Sequence, residues 1–307
     1  MEDKMKKIIS LVVAAVMLMT SAFALVSCSG ENLYAPYGKQ LAEYKAPTGK
    51  AETLTIALSP DFAPMEFVYI DGSNQEIAGF DVILSNYLAK ELGMNLEIKP
   101  MSFDACQTAV QTGNVDLAIS GFSWTYERAQ NYEISDYYIA GDNETEQVII
   151  TTKANENKLT TAESYKGLKI GYQGASLQQV LVEETFGNDA EVELVPYVDL
   201  GTAAEALKTG VVDALAVAQG NGEAIIANAG DSLAFSGYEF EIDEKYKNNV
   251  ILIQKGNTEL LAKVNTALAK ALSNDYYTAW YEVCTILAGS ASIDELGYDE
   301  NGNKITE

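Results

Sequence analysis

The chain carries 44 acidic and 20 basic side chains over 307 residues, a net charge of −24, and contains no histidine. So acidic a surface repels nucleic acid and anionic headgroups. Without imidazole there is no histidine triad, no histidine metal site and no access to the commonest general base.

Lys4, Lys6 and Lys7 precede an apolar run from Ile8 to Val26, broken only by Ser10, Thr20 and Ser21 and ending in Leu25-Val26-Ser27-Cys28. A charged start, an apolar middle and small residues at the boundary predict a secretion signal over residues 1–27, removed from the mature protein. A transmembrane anchor is the rival reading, since the run is long enough for one. Residues 28–52 mix Gly, Pro and scattered charges without an apolar period, which predicts a flexible tether. The length that remains exceeds one average domain, so one large core or two modest ones are expected.

Strand and helix then alternate. Leu54–Ser59 is a short apolar strand. Gly79–Gly93 places Phe80, Ile83, Tyr87 and Leu88 at helical spacing, with Gly93 where a C-terminal cap belongs. Leu96 and Ile98 suggest a strand, and Ser102 a cap for a helix that reaches Thr112 and stops at Gly113. Val115–Ser120, Leu168–Tyr172, Val192–Tyr197 and Val211–Val217 read as further buried strands with helices between them. This alternation predicts an α/β fold with mostly parallel sheets covered on both faces. An internal echo, Ala109–Ser120 against Ala206–Val217, repeats a helix end, a Thr-Gly stop and a Val-Asp opening onto an apolar strand, and so suggests two similar halves. Cys106 and Cys284 each lie in a helix-like apolar pattern and read as buried thiols, with a disulfide between them as the alternative.

Several residues suit a small anionic ligand. Thr125 is positioned to cap a helix whose first turn holds Tyr126, Glu127 and Arg128. A guanidinium at the positive end of a helix, beside free amides at a strand's carboxyl end, suits a carboxylate held bidentately. Glu127 or Asp136 would satisfy Arg128 internally instead. Ser176 caps a helix after a Gly-containing turn, so its hydroxyl and the next amides offer a second anion contact or serve as a plain cap. Phe62, Phe67 and Phe103 follow strands and line either a pocket or a core.

The segments Asp61–Phe67, Ile77–Gly93, Ser102–Ser120, Gly121–Tyr138, Leu168–Ser176 and Ala206–Val217 occur in an order that resembles the polar amino-acid binding proteins of ABC importers, the type II solute-binding family. The likeness covers nearly all of Leu54–Leu287 and is most specific over Val115–Tyr138. It implies a two-lobed periplasmic-binding-protein-like α/β fold with two hinge strands. Lobe 1 would span residues 53–145 and return over 236–298, lobe 2 would be inserted over 146–235, and 299–307 would be a polar tail. Leu25–Cys28 resembles a bacterial lipobox, with Cys28 as the lipidated first residue. The resemblance implies that Arg128 grips a ligand α-carboxylate, assisted by Ser123 and by Ser176 from the second lobe. It further implies that the Gly121 carbonyl accepts from the ligand ammonium and that Phe62 and Phe103 sandwich its side chain. One departure stands out: family members carry an aspartate for the ammonium where this chain has Ala218, next to Gln219. Glu66, Asp61 or Glu223 substitutes for it, or Gln219 and carbonyls suffice, or the ligand has no free α-amine.

The function so implied is the solute-binding subunit of an ABC importer. It would be extracytoplasmic, lipid-anchored to the cell membrane and monomeric, and would deliver an amino acid to the permease subunits. It would use no cofactor or metal, perform no catalysis and bind no nucleic acid. The alternatives are an enzyme of the same fold, resembling cyclic-acid dehydratases, and a binder of an amine-free carboxylate.

Overall fold

A computed structural model describes residue 49 and residues 51–71, 74–138, 146–274 and 277–289. The secretion signal, Cys28, most of the tether and the polar tail lie outside these residues. Among those described, no helix is long and apolar enough to cross a membrane.

The first lobe opens with β1 (Thr53–Leu58), a small meander of β2 (Asp61–Phe62), β3 (Glu66–Asp71) and β4 (Asn74–Ala78), and α1 (Phe80–Leu92). β5 (Asn95–Pro100), α2 (Phe103–Gln111), β6 (Leu117–Ala118), α3 (Tyr126–Asn131) and β7 (Tyr132–Ile134) follow. The second lobe holds β8 (Gln147–Thr152), β9 (Lys169–Gln173), α4 (Leu177–Phe186), β10 (Glu193–Tyr197), α5 (Leu200–Lys208), β11 (Ala214–Ala218), α6 (Gln219–Asn228) and β12 (Leu233–Glu239). The chain then returns through β13 (Leu252–Gln254), α7 (Thr258–Leu272) and α8 (Tyr277–Leu287).

Two five-stranded sheets result, ordered β5-β1-β6-β13-β7 and β10-β9-β11-β8-β12. Each has a parallel trio centred on its first α/β strand, extended by two antiparallel strands. The sheets are therefore mixed rather than mostly parallel, because the strands that enter the second lobe (β8) and re-enter the first (β13) run against their neighbours. In the first sheet Leu54 and Ile56 face α1, α7 and α8, while Ala57 faces α2. In the second, Leu215 and Val217 face α5 and α6, while Ala214 and Ala216 face α4. Period-two alternation with apolar residues at every position is what a sheet covered on both faces requires.

The internal echo reaches individual bonds. Thr112 and Thr209 end α2 and α5 with almost the same backbone (φ −85, ψ −3 and φ −88, ψ −3), and Gly113 and Gly210 follow in the left-handed region at φ 74 and 75. In the Val-Asp openings, Asp116 Oδ2 accepts from Thr55 N and Asp213 Oδ2 from Lys169 N, both at 2.8 Å. Cys106 and Cys284 are both free and buried, in clusters on opposite faces of the first sheet. The alternative of a disulfide between them is therefore not realised.

Candidate functional site

The cleft lies where the carboxyl ends of the parallel strands in the two lobes face each other, the usual ligand position in open α/β sheets. On the first-lobe side, β6 runs into Gly121, whose φ of +53 favours glycine. A Cβ there would lie 2.5 Å from the Phe62 ring, so the close approach of ring and backbone also depends on glycine. Gly121 N donates to Asp81 Oδ2 at 2.7 Å, which fixes the peptide from behind.

Thr125 caps α3 as expected, its hydroxyl accepting from Arg128 N at 3.1 Å. Arg128 thus sits in the first helical turn, 4% exposed. Its guanidinium lies over the Phe122 and Phe103 rings, at 5.0 and 5.6 Å from their centroids. Nη1 donates to Ser123 O at 2.6 Å, Nη2 to Ala175 O across the cleft at 2.9 Å, and Nε to Gln107 Oε1 at 3.4 Å. Three of the five donors are engaged, all by uncharged acceptors. Neither Glu127 nor Asp136 forms an ion pair with Arg128, nor does any other carboxylate among the described residues. Burial pulls its pKa from 12.5 to about 10, so it remains a cation at neutral pH. A buried charge without a counter-ion costs several kcal/mol, and an anion in the cleft removes that cost.

The opposite wall is the start of α4. Ser176 is its N-cap, the hydroxyl donating to Gln173 O at 2.7 Å and accepting from Gln179 N at 3.2 Å. With its hydroxyl so occupied, the groups left to meet an anion are the first helical amides, which have no partner within the helix. Leu177 and Gln178 at this end both line the cleft. The space between these groups that a water-sized molecule can reach is only about 20 Å³, well below the range of about 300–1,000 Å³ for ligand clefts, so the two walls must part to admit a ligand. A wider crevice lies on the outer side of Arg128, bounded by the exposed Glu127 and Glu183. The inner cleft is the better ligand site, since it joins the rings, the amides and the guanidinium between both lobes.

Six of the eight residues expected from the sequence line this inner cleft: Phe62, Phe103, Gly121, Ser123, Arg128 and Ser176. Two do not. Glu66 is fully buried behind the wall, accepting from Ser120 Oγ at 2.6 Å, with its second oxygen unpaired by any donor and next to the Asp81 carboxyl. Gln219 opens α6 and donates to Glu223 Oε1 at 3.2 Å instead. Ala218 does line the cleft. Asp61 spans the two lobes: its Oδ2 accepts from Gln173 Nε2 at 2.9 Å and from Leu200 N at 2.8 Å, while Oδ1 accepts from Ser59 Oγ at 2.7 Å. Burial raises its pKa above the usual carboxylate value.

The sequence reading missed Gln147 and Asn249, which also line the cleft. Carboxyl ends of parallel strands are the usual ligand positions in α/β sheets, whereas these two precede antiparallel strands. Gln147 opens β8 and pairs with Ala218 at the end of β11, so the start of one strand meets the end of its neighbour. A polar residue just before the apolar run at 148–150 was the available signal.

Residues 54–283 match the family model of bacterial extracellular solute-binding proteins, family 3. The L-cystine-binding protein TcyJ of Escherichia coli (strain K12) is 28% identical over 220 residues, covering 71% of this chain and 77% of the relative. Among solved structures, the amino acid ABC transporter substrate-binding protein AbpA from Streptococcus pneumoniae, bound to L-arginine, has a TM-score of 0.70 at 27% identity, covering 77% of this chain and 95% of that one. An ancestral arginine-binding protein bound to glutamine has a TM-score of 0.66 at 31% identity, covering 76% and 98%.

Proposed function

The chain belongs to the bacterial extracellular solute-binding proteins, family 3, and on that premise we propose that it captures an amino acid outside the cytoplasm as the binding subunit of an ABC importer. The likeness to binding proteins for cystine and arginine supports the ligand class and the importer role. In this reading Cys28 carries the lipid that tethers a monomer to the membrane, and the protein releases its solute chemically unchanged to the permease. The first lobe is 53–145 with the return of the chain, and the second starts at 146 and runs past the expected end at 235, since β12 pairs with β8 as far as Glu239; the two close over the ligand.

The observation that carries the proposal is Arg128: buried, cationic, without an anionic partner among the described residues, and set where both lobes meet. A ligand carboxylate neutralises it, together with the first amides of α4. The carbonyl of Gly121 accepts from the ligand amine, and Phe62 and Phe103 cover its side chain. The contact between Nη2 of Arg128 and Ala175 O puts the guanidinium within reach of the second lobe, so a carboxylate joining the two favours the closed form by its differential affinity.

Calorimetry on ligand-free refolded protein tests this. Arg128→Ala is expected to cost about 1.5–3 kcal/mol of affinity, the range for a hydrogen bond to a charged group, or about tenfold to a hundredfold in Kd. Unchanged affinity for the wild-type ligand would remove Arg128 as the anchor.

A further inference from the structure

The charges around the inner cleft are one-sided. Arg128 is the charged side chain among its lining residues, and the other polar groups are the amides of Gln147, Gln173, Gln178 and Asn249 and the hydroxyls of Ser123 and Ser176. Among the described residues no acid lines it. Three described carboxyls close by are committed elsewhere. Asp61 holds Gln173, Leu200 N and Ser59. Asp81 accepts from Gly121 N and from Tyr138 Oη at 2.9 Å, and Glu66 lies behind Ser120. Glu127 and Glu183 belong to the outer crevice, where both are exposed and screened by solvent.

Resting on the proposed function, we infer that this cleft selects carboxylates whose side chain is polar but uncharged, an amide above all, and rejects cationic amino acids. A second guanidinium or ammonium would enter a buried space that already holds one cation and, among the described residues, offers it no counter-ion, which is costly. An amide brings a donor and an acceptor to a wall built of donors and acceptors. Asp61 also settles the orientation of one wall amide: a carboxylate can only accept, so Gln173 turns its Nε2 to Asp61 and keeps Oε1 as its remaining polar atom. Buried polar groups left unmatched by a cationic or apolar side chain add to the discrimination.

The test is calorimetry of the refolded, ligand-free chain with L-glutamine, L-asparagine, L-arginine and L-lysine. An amide amino acid is expected to bind at least about a hundredfold tighter than arginine or lysine, the ratio a few kcal/mol of charge burial gives. Arginine or lysine within tenfold of the better amide overturns the selectivity and leaves solute binding intact. Failure of all four, with no other α-amino acid shifting Tm at millimolar concentration, overturns both readings. Ala218→Asp places a carboxylate in the cleft, and Gln178→Glu places one at the second position of α4, where an acid suits the helix N-terminus. Each is expected to narrow the ratio of amide to arginine affinity by about tenfold, the scale of one added charge contact. An unchanged ratio in both folded variants overturns the inference.

Discussion

Two residues of the cleft share one backbone region and call for opposite substitutions. Gly121 has φ +53 and Ala175 has φ +59. Left-handed backbone costs a residue with a Cβ about 1–2 kcal/mol. Gly121→Ala adds that cost and also drives a methyl group into the Phe62 ring, so urea unfolding is expected to show a loss of at least about 1–2 kcal/mol. Ala175→Gly removes the strain and loosens the unfolded chain by about 0.5–1 kcal/mol, so the net change is expected between zero and a gain of about 1.5 kcal/mol. Equal losses in both variants would show that local backbone strain is not what distinguishes them. The place of Gly121 on the cleft wall was expected only from the resemblance. Chemistry put Arg128 in the first turn of a short helix, as found, but left a ligand and an internal acid as equal partners for it. Glu66 misled, because in an extended loop and strand start nothing in the sequence tells whether a carboxyl points into a cleft or behind its wall.

At the scale of elements, the sequence carried most of the architecture. The Thr-Gly stops and the Val-Asp openings showed the two halves to be alike, and the structure adds why the aspartates recur. Each accepts the amide one residue before its neighbour strand begins to pair with it, Thr55 before Ile56 and Lys169 before Ile170, and so sets where that pairing begins. Asp116 does more, since Thr55 Oγ1 also donates to it at 2.6 Å. Both positions are partly buried, so Asp116→Ala and Asp213→Ala are each expected to cost about 1.5–3 kcal/mol, with Asp116→Ala the larger. Because they lie in different sheets, the double variant should cost the sum. A double variant costing no more than either single one would show that the two openings do not act independently. What stayed hidden was strand direction: an apolar run looks the same whether it pairs parallel or antiparallel, so the mixed sheets and the contributions of Gln147 and Asn249 were not legible.

For the whole molecule, the acids buried between and behind the lobes set how stability depends on pH. Burial raises the pKa of Asp61, Glu66 and Asp81 above the ordinary carboxylate range, and the adjoining Asp81 charge raises Glu66 further. Tyr138, whose hydroxyl donates to Asp81, faces both acids, Cys284 faces Asp81 and Cys106 faces Glu66, and burial pushes all three upward, so none supplies a charge at neutral pH. Among the described residues no cation forms an ion pair with either carboxyl. The proton therefore resides on Glu66, whose otherwise unpaired oxygen can donate to Asp81. The sign follows from linkage. Above the unfolded carboxylate pKa the unfolded chain releases protons that these folded carboxyls retain, so the stability they contribute is fullest in acid and falls as pH rises toward the folded values. Each retained proton contributes a slope of about 1.4 kcal/mol per pH unit within that window. Glu66→Gln replaces the proton with an amide that donates to Asp81 while its carbonyl still accepts from Ser120, so one such slope disappears. Urea midpoints measured between pH 5 and pH 8 are expected to fall less steeply for Glu66→Gln than for the wild type. The general repulsion of a chain at −24 acts almost equally on both and drops out of the difference. Parallel profiles would mean that Glu66 is ionised in the folded protein, and a buried pair of carboxylates would then need a counter-ion from outside the described residues.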